Sequence, residues 1–167
     1  MLDRIQYNPD QKVKGILYSF YKTYKDNYYD IVSVTNSSRF SNKTDGLGII
    51  DFDKNTYWIS NAGVGEYVTI HFPYHYIKIE GYEIQSSYLT CNPKEWSFAA
   101  SNDGVNFEHE LITVDENEEM NVKYASKYIP FSYDVLYNYF RLYVKGPSYC
   151  NYKRFDVNQI RDVENLI

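Results

Sequence analysis

Residues Gly46–Ser60 read GLGIIDFDKNTYWIS. An apolar pair, Ile49 and Ile50, runs into a short acidic turn, Asp51-Phe52-Asp53-Lys54-Asn55, which Thr56, Tyr57 and Trp58 close. Branched apolar residues seek burial, and Asp and Asn side chains bond their own backbone in turns. The same grammar recurs downstream. Pro93-Lys94-Glu95-Trp96-Ser97-Phe98 leads into the turn Ser101-Asn102-Asp103-Gly104, a strong hairpin signal that continues into Val105 and Phe107.

From residue 66 onward the period is that of strands. Tyr67–Phe72 alternates, with Val68, Ile70 and Phe72 on one face. Ile77 and Ile79 hold one phase and Tyr82 and Ile84 the other, so a bulge is expected at Gly81. Trp96, Phe98 and Ala100 form the next inward row, and a strand over 107–114 ends in the run Asp115-Glu116-Asn117-Glu118-Glu119. That run reads as a solvated loop, with a cation site as the second reading. Phe140, Leu142 and Val144 alternate with Tyr139, Arg141 and Tyr143, and a last strand holds Phe155, Val157 and Ile160. Short strands between turn signals predict an all-β sandwich or jelly roll.

The helix candidate is residues 12–24. Val13, Ile16, Leu17, Phe20 and Tyr24 share one face at helical spacing, and Asp10 is placed to cap it. Ile31, Val32 and Val34 then read as a strand and 36–45 as a polar loop. No repeat or linker divides the chain. The expectation is a single domain, 1–167, with 1–30 as a helical extension packed on it.

Composition narrows the function. The chain has 167 residues, twenty tyrosines, nine phenylalanines and a net charge of −5. A mildly acidic chain without a basic block has no footprint for nucleic acid or anionic lipid, and no membrane insertion is expected. The N-terminus has no apolar stretch of the secretory type, so the expected location is cytoplasmic, in a cytoskeletal or ciliary setting. On that reading Cys91 and Cys150 are expected as reduced thiols, with a bond between them as the second reading, and the sequons at Asn36 and Asn42 as chance matches.

The ordered set Thr56-Tyr57-Trp58, Tyr67–Phe72, Gly81–Ile84, Pro93–Gly104 and Tyr139–Ser148 resembles the discoidin, or coagulation factor 5/8 type C, family of galactose-binding-like β-sandwiches. The helix and Val32–Ser38 look most like its intracellular members. The resemblance implies a jelly-roll binding module without catalytic machinery. Many secreted relatives hold a structural calcium ion near the acidic turn, and Asp53, Asn55 and Thr56 match part of that shell. Where those relatives carry a completing Glu, this chain has Arg161. Either Asp162 or Glu164 reaches round to an ion, or Arg161 replaces it by pairing with Asp51 or Asp53. The second is preferred, so no cofactor is expected.

In sugar-binding relatives the ligand lies on loops at one end of the sandwich. The matching loops are Gly146–Arg154, with Tyr149, Tyr152, Lys153 and Arg154, and Leu89–Lys94, with Asn92 and Lys94. Tyr and Arg suit a protein contact as well as a sugar. The leading expectation is an intracellular protein-interaction or structural subunit, with a lectin-like carbohydrate-binding module as the alternative and a hydrolase as a remote one. Catalytic motifs are weak. Pro73 interrupts any helical zinc pair between His71 and His75, and Gly63-Val64-Gly65 does not extend to a dinucleotide fingerprint. The expected core includes Trp58, Val68, Ile70, Phe72, Trp96, Phe98, Phe140, Leu142 and Val144.

Overall fold

The computed structural model describes residues 4–5, 15–89, 91–107, 109–146, 148, 156–157, 159–162 and 165–166. Helix α1 spans Ile16–Tyr24 and buries Ile16, Leu17 and Phe20, the face the spacing predicts. The helix starts later than expected, with Gly15 and not Asp10 at its N-cap and no side-chain cap; Val13 lies outside the described residues. A 3₁₀ turn, Lys25–Asn27, leads into a second short helix, α2 (Tyr28–Ile31). Ile31 therefore ends a helix and does not open a strand. The reason is tertiary: Tyr28 is fully buried and its hydroxyl donates to the Ile50 carbonyl at 3.2 Å, so packing overrides the β preference of Ile31.

The strands follow in the order β1 (Arg4–Ile5), β2 (Ser33–Asn36), β3 (Trp58–Ile59), β4 (Tyr67–His71), β5 (Lys78–Ile79), β6 (Gly81–Gln85), β7 (Trp96–Ser101), β8 (His109–Val114), β9 (Ser126–Pro130), β10 (Tyr139–Val144), β11 (Asp156–Val157), β12 (Gln159–Asp162) and β13 (Asn165–Leu166). One layer is the antiparallel sheet β2-β4-β10-β7-β8, and the facing layer is β12-β6-β9. Two small ladders, β11-β3 and β1-β13-β5, complete a jelly-roll sandwich. Ile49 and Ile50 are buried as their sequence suggests, within and after a 3₁₀ turn, Gly46–Ile49.

Period-two alternation does what the sequence demands. In β10, Phe140, Leu142 and Val144 are buried, and their register partners on β4 and β7 are Ile70, Val68, Ala100, Phe98 and Trp96. Tyr82, Ile84, Ile129 and Ile160 close over them from the second layer. Every residue of the expected core is buried. The shift of phase at Gly81 is a change of ladder: the chain leaves β5, bends at Glu80 and enters β6 between β9 and β12. A Cβ on Gly81 would stand 2.5 Å from the Tyr128 hydroxyl of β9. The bulge falls elsewhere, between Phe98 and Ala99, where the β7–β8 register shifts. The hairpin signal holds, with Gly104 at φ +72° in the turn.

One bond joins the layers inside the core. The Trp96 indole N–H donates to the Tyr82 hydroxyl at 2.6 Å, and the Tyr82 ring stacks on Phe98 with centroids 4.4 Å apart. Burial pushes the Tyr82 phenol far above the ordinary tyrosine range, against a smaller downward pull from the indole N–H.

Two outcomes follow from that pair. Tyr82→Phe keeps the ring stack but leaves a buried N–H without its acceptor, and should cost about 1–3 kcal/mol in urea unfolding. The unfolded chain releases a tyrosine proton near pH ~10, whereas folded Tyr82 keeps its own. The folded state therefore binds more protons there, and stability should fall as pH rises through that value, as followed by denaturation across pH 8–11.

Candidate functional site

Strand direction gathers loops at one end. The chain enters β4 and β7 there, and leaves β2, β6, β8 and β10 there. The segment 86–95 joins β6 to β7 and so crosses between the layers, with Trp96 at its second root. Backbone bonds knit it to its neighbours. Lys145 and Gly146 donate to the Glu95 carbonyl at 3.1 and 3.3 Å, and Asn117 donates to the Lys94 carbonyl at 3.0 Å. Ser86 exchanges backbone and side-chain bonds with Val122 and Ala125. Glycine suits position 146, because a Cβ there would stand 2.6 Å from the Glu95 Cβ.

The two loops singled out from sequence therefore meet at their bases. Asn92 is buried, and Lys94 is half-buried with its carbonyl at the junction. Tyr149, Tyr152, Lys153 and Arg154 lie outside the described residues, on chain that continues from Gly146. Three features were not visible in the sequence. Asn117, in the middle of the acidic run, is buried while Asp115, Glu116, Glu118 and Glu119 are exposed around it. Asn92 Oδ1 and both amide atoms of Asn117 are buried without a hydrogen-bond partner among the described residues. Tyr88 is 40% exposed, and its hydroxyl meets that of Tyr57 at 3.0 Å with the rings edge-to-face at 5.3 Å. Only the nearness of Tyr88 to Leu89–Lys94 hinted at it.

Apolar side chains do project at this end, Val64 and Val122 among them, each on a separate loop. No helix among the described residues is long and apolar enough to cross a membrane. Cys91 is disulfide-bonded, against the expectation of reduced thiols. The sequence holds one other cysteine, Cys150, which lies outside the described residues.

The acidic turn is organised by its own hydrogen bonds. Asp51 Oδ1 accepts from the Asp53 backbone at 2.9 Å and from the Thr56 hydroxyl at 2.8 Å. Asp53 Oδ1 accepts from the Asn55 backbone and amide at 2.9 and 2.8 Å. Two carboxylates that accept donors, with a hydroxyl that donates, are a poor shell for calcium, which takes six to eight oxygens. No group of three or more His, Cys, Asp or Glu placed to hold a metal occurs among the described residues. On the backbone Arg161 sits opposite Glu83 in the β12–β6 ladder; its side chain, and any pairing with Asp51 or Asp53, lies outside what is described. His71 and His75 pack on different aromatic rings. His71 stacks on Tyr139 at 3.9 Å and His75 packs on Phe20 at 4.8 Å, and burial lowers the pKa of both.

The fold can be compared with known proteins. A family 32 carbohydrate-binding module from Clostridium perfringens, in complex with GalNAc-β-1,3-galactose, is 13% identical with a TM-score of 0.66, covering 80% of this chain and 96% of that one. The family 32 module of C. perfringens NanJ, in complex with galactose, is 15% identical with a TM-score of 0.61, covering 81% and 94%. The family 32 module of AlyQ, in complex with 4,5-unsaturated mannuronic acid, is 19% identical with a TM-score of 0.62, covering 80% and 95%. No family model matches the sequence, and no curated protein does. The likeness establishes the fold alone, the galactose-binding-like jelly-roll sandwich of these modules. It gives no support to a particular kinship with intracellular members, or to a cytoskeletal or ciliary role.

Calorimetric titration of Ca²⁺ into chelator-treated protein should show no binding in the micromolar range, since the side chains of this turn supply only part of the six to eight oxygens the ion takes. Micromolar heats centred on a Thr56-dependent site would contradict this account of the turn.

Proposed function

We propose that the protein is a non-catalytic carbohydrate-binding module that works in an oxidising compartment and takes its saccharide at the loop junction. The observation that carries the reading is the fold likeness to three modules solved with galactose-type or uronate ligands. The disulfide at Cys91 supports the compartment, because such bonds persist where thiols are oxidised.

The junction supplies suitable chemistry. Tyr88, braced by Tyr57, offers a ring for the C–H face of a sugar. Lys94 adds donors at the rim. Tyr149, Tyr152, Lys153 and Arg154 belong to the same proposed site by continuity from Gly146. An intracellular protein contact through these loops has no observation of its own in its favour.

The test is a glycan array carrying galactose, GalNAc and mannuronate epitopes, followed by calorimetry on the best ligand. Wild-type protein should bind, and Tyr88→Ala should weaken binding about tenfold, roughly 1.4 kcal/mol, with an unchanged melting temperature. An array without hits, or a Tyr88→Ala, Lys94→Ala double variant that binds as tightly as wild type, would contradict the proposal.

A further inference from the structure

The helical segment and the acidic turn form a second concavity that shares no residue with the loop junction. It has a volume of about 590 Å³ and is lined by Tyr21, Lys22, Lys25, Asp26, Tyr29 and Asp51. That size falls in the range of small-molecule sites, about 300–1,000 Å³. We propose that this groove is an independent binding site for an uncharged saccharide.

The rings that wall it are held before any ligand arrives. Tyr21 rests on Phe52 and Tyr28, with centroids 5.2 and 5.5 Å apart, and Tyr29 rests on Tyr28 at 5.2 Å. Tyr28 itself is fully buried and tied to the Ile50 carbonyl. Phe52 adopts φ +61°, a left-handed conformation that costs energy for a residue with a Cβ, with its ring against Tyr18 and Tyr21. Tyr21 and Tyr29 nevertheless remain 36% and 48% exposed. Aromatic faces fixed in this way lose little entropy when a flat, C–H-bearing ligand stacks on them.

Charge and polarity choose the ligand class. None of the six lining residues is aliphatic, so an apolar ligand gains little there beyond the rings. Two ammonium groups and two carboxylates share the lining. An anionic sugar meets Asp26 and Asp51, and a cationic one meets Lys22 and Lys25. A neutral polyol finds both donors and acceptors for its hydroxyls at no net electrostatic cost.

Three probes on one sugar frame separate the outcomes: lactose, galacturonic acid and galactosamine, each titrated into the ¹⁵N-labelled full chain by NMR. Lactose should shift the amides between Tyr21 and Tyr29. Tyr29→Ala and, separately, Lys25→Ala should weaken that response about tenfold or more, with the spectrum outside the groove unchanged. Lactose shifts in the groove without shifts at Lys94 and Asn117 would support this site while counting against the loop junction. The proposal is overturned if lactose leaves these amides unmoved, if only galacturonic acid or galactosamine moves them, or if both variants respond as wild type does.

Discussion

The hydrogen bond from the Trp96 indole to the Tyr82 hydroxyl organises much of what is distinctive about this molecule. It crosses from one layer of the sandwich to the other inside a dry core, where an unmet donor or acceptor would be costly. Tyr82 lies near the start of β6 and Trp96 opens β7, so the bond ties the second root of the loop between them to the opposite layer. With that root fixed, the loop carrying Tyr88, Asn92 and Lys94 is held against the segments that follow β8 and β10. Rigid strands at the base and polar groups on the loops are a common division of labour in binding domains.

The tyrosine-rich composition takes on meaning only in three dimensions. Some rings are core, such as Tyr28 and Tyr82. Others cover the outer face of the five-stranded sheet, where the Arg141 guanidinium lies 4.1 Å from the Tyr67 ring and 3.7 Å from Phe107 and bonds Thr69 Oγ1 and the Tyr143 hydroxyl. A third group, Tyr88 at the loop junction and Tyr21 and Tyr29 beside α1 and α2, is braced by other rings yet exposed. Fixed and exposed aromatic faces are the ones suited to stacking on a ligand. The first and last described strands, β1 and β13, pair side by side next to β5, at the opposite end from the loop junction.

Much of this architecture was legible in the sequence because local period reports burial. Val68-Ile70-Phe72 and Phe140-Leu142-Val144 announce their inner faces, Ile16-Leu17-Phe20 announces a helix, and Asn102-Asp103-Gly104 announces its turn. What stayed hidden depends on distant partners. Ile31 is helical because Tyr28 is anchored to Ile50, and Asn117 is buried because Lys94 accepts its N–H. The bonded state of Cys91 depends on a second cysteine brought to it by the fold, which no local pattern reports. The groove at Tyr21 and Tyr29 needs Asp51 and Phe52 from a separate turn, which no local pattern reveals.

Hydrogen–deuterium exchange with and without a galactose-type disaccharide separates a rigid sheet base from loops that take the ligand. Exchange should be slowest in β4, β7 and β10, with ligand-induced protection concentrated in 86–95 and 115–125 while those strands stay as they were. Rapid exchange across β7 and β10, or protection that appears along the β2 or β8 edge and leaves the loops untouched, would contradict that division.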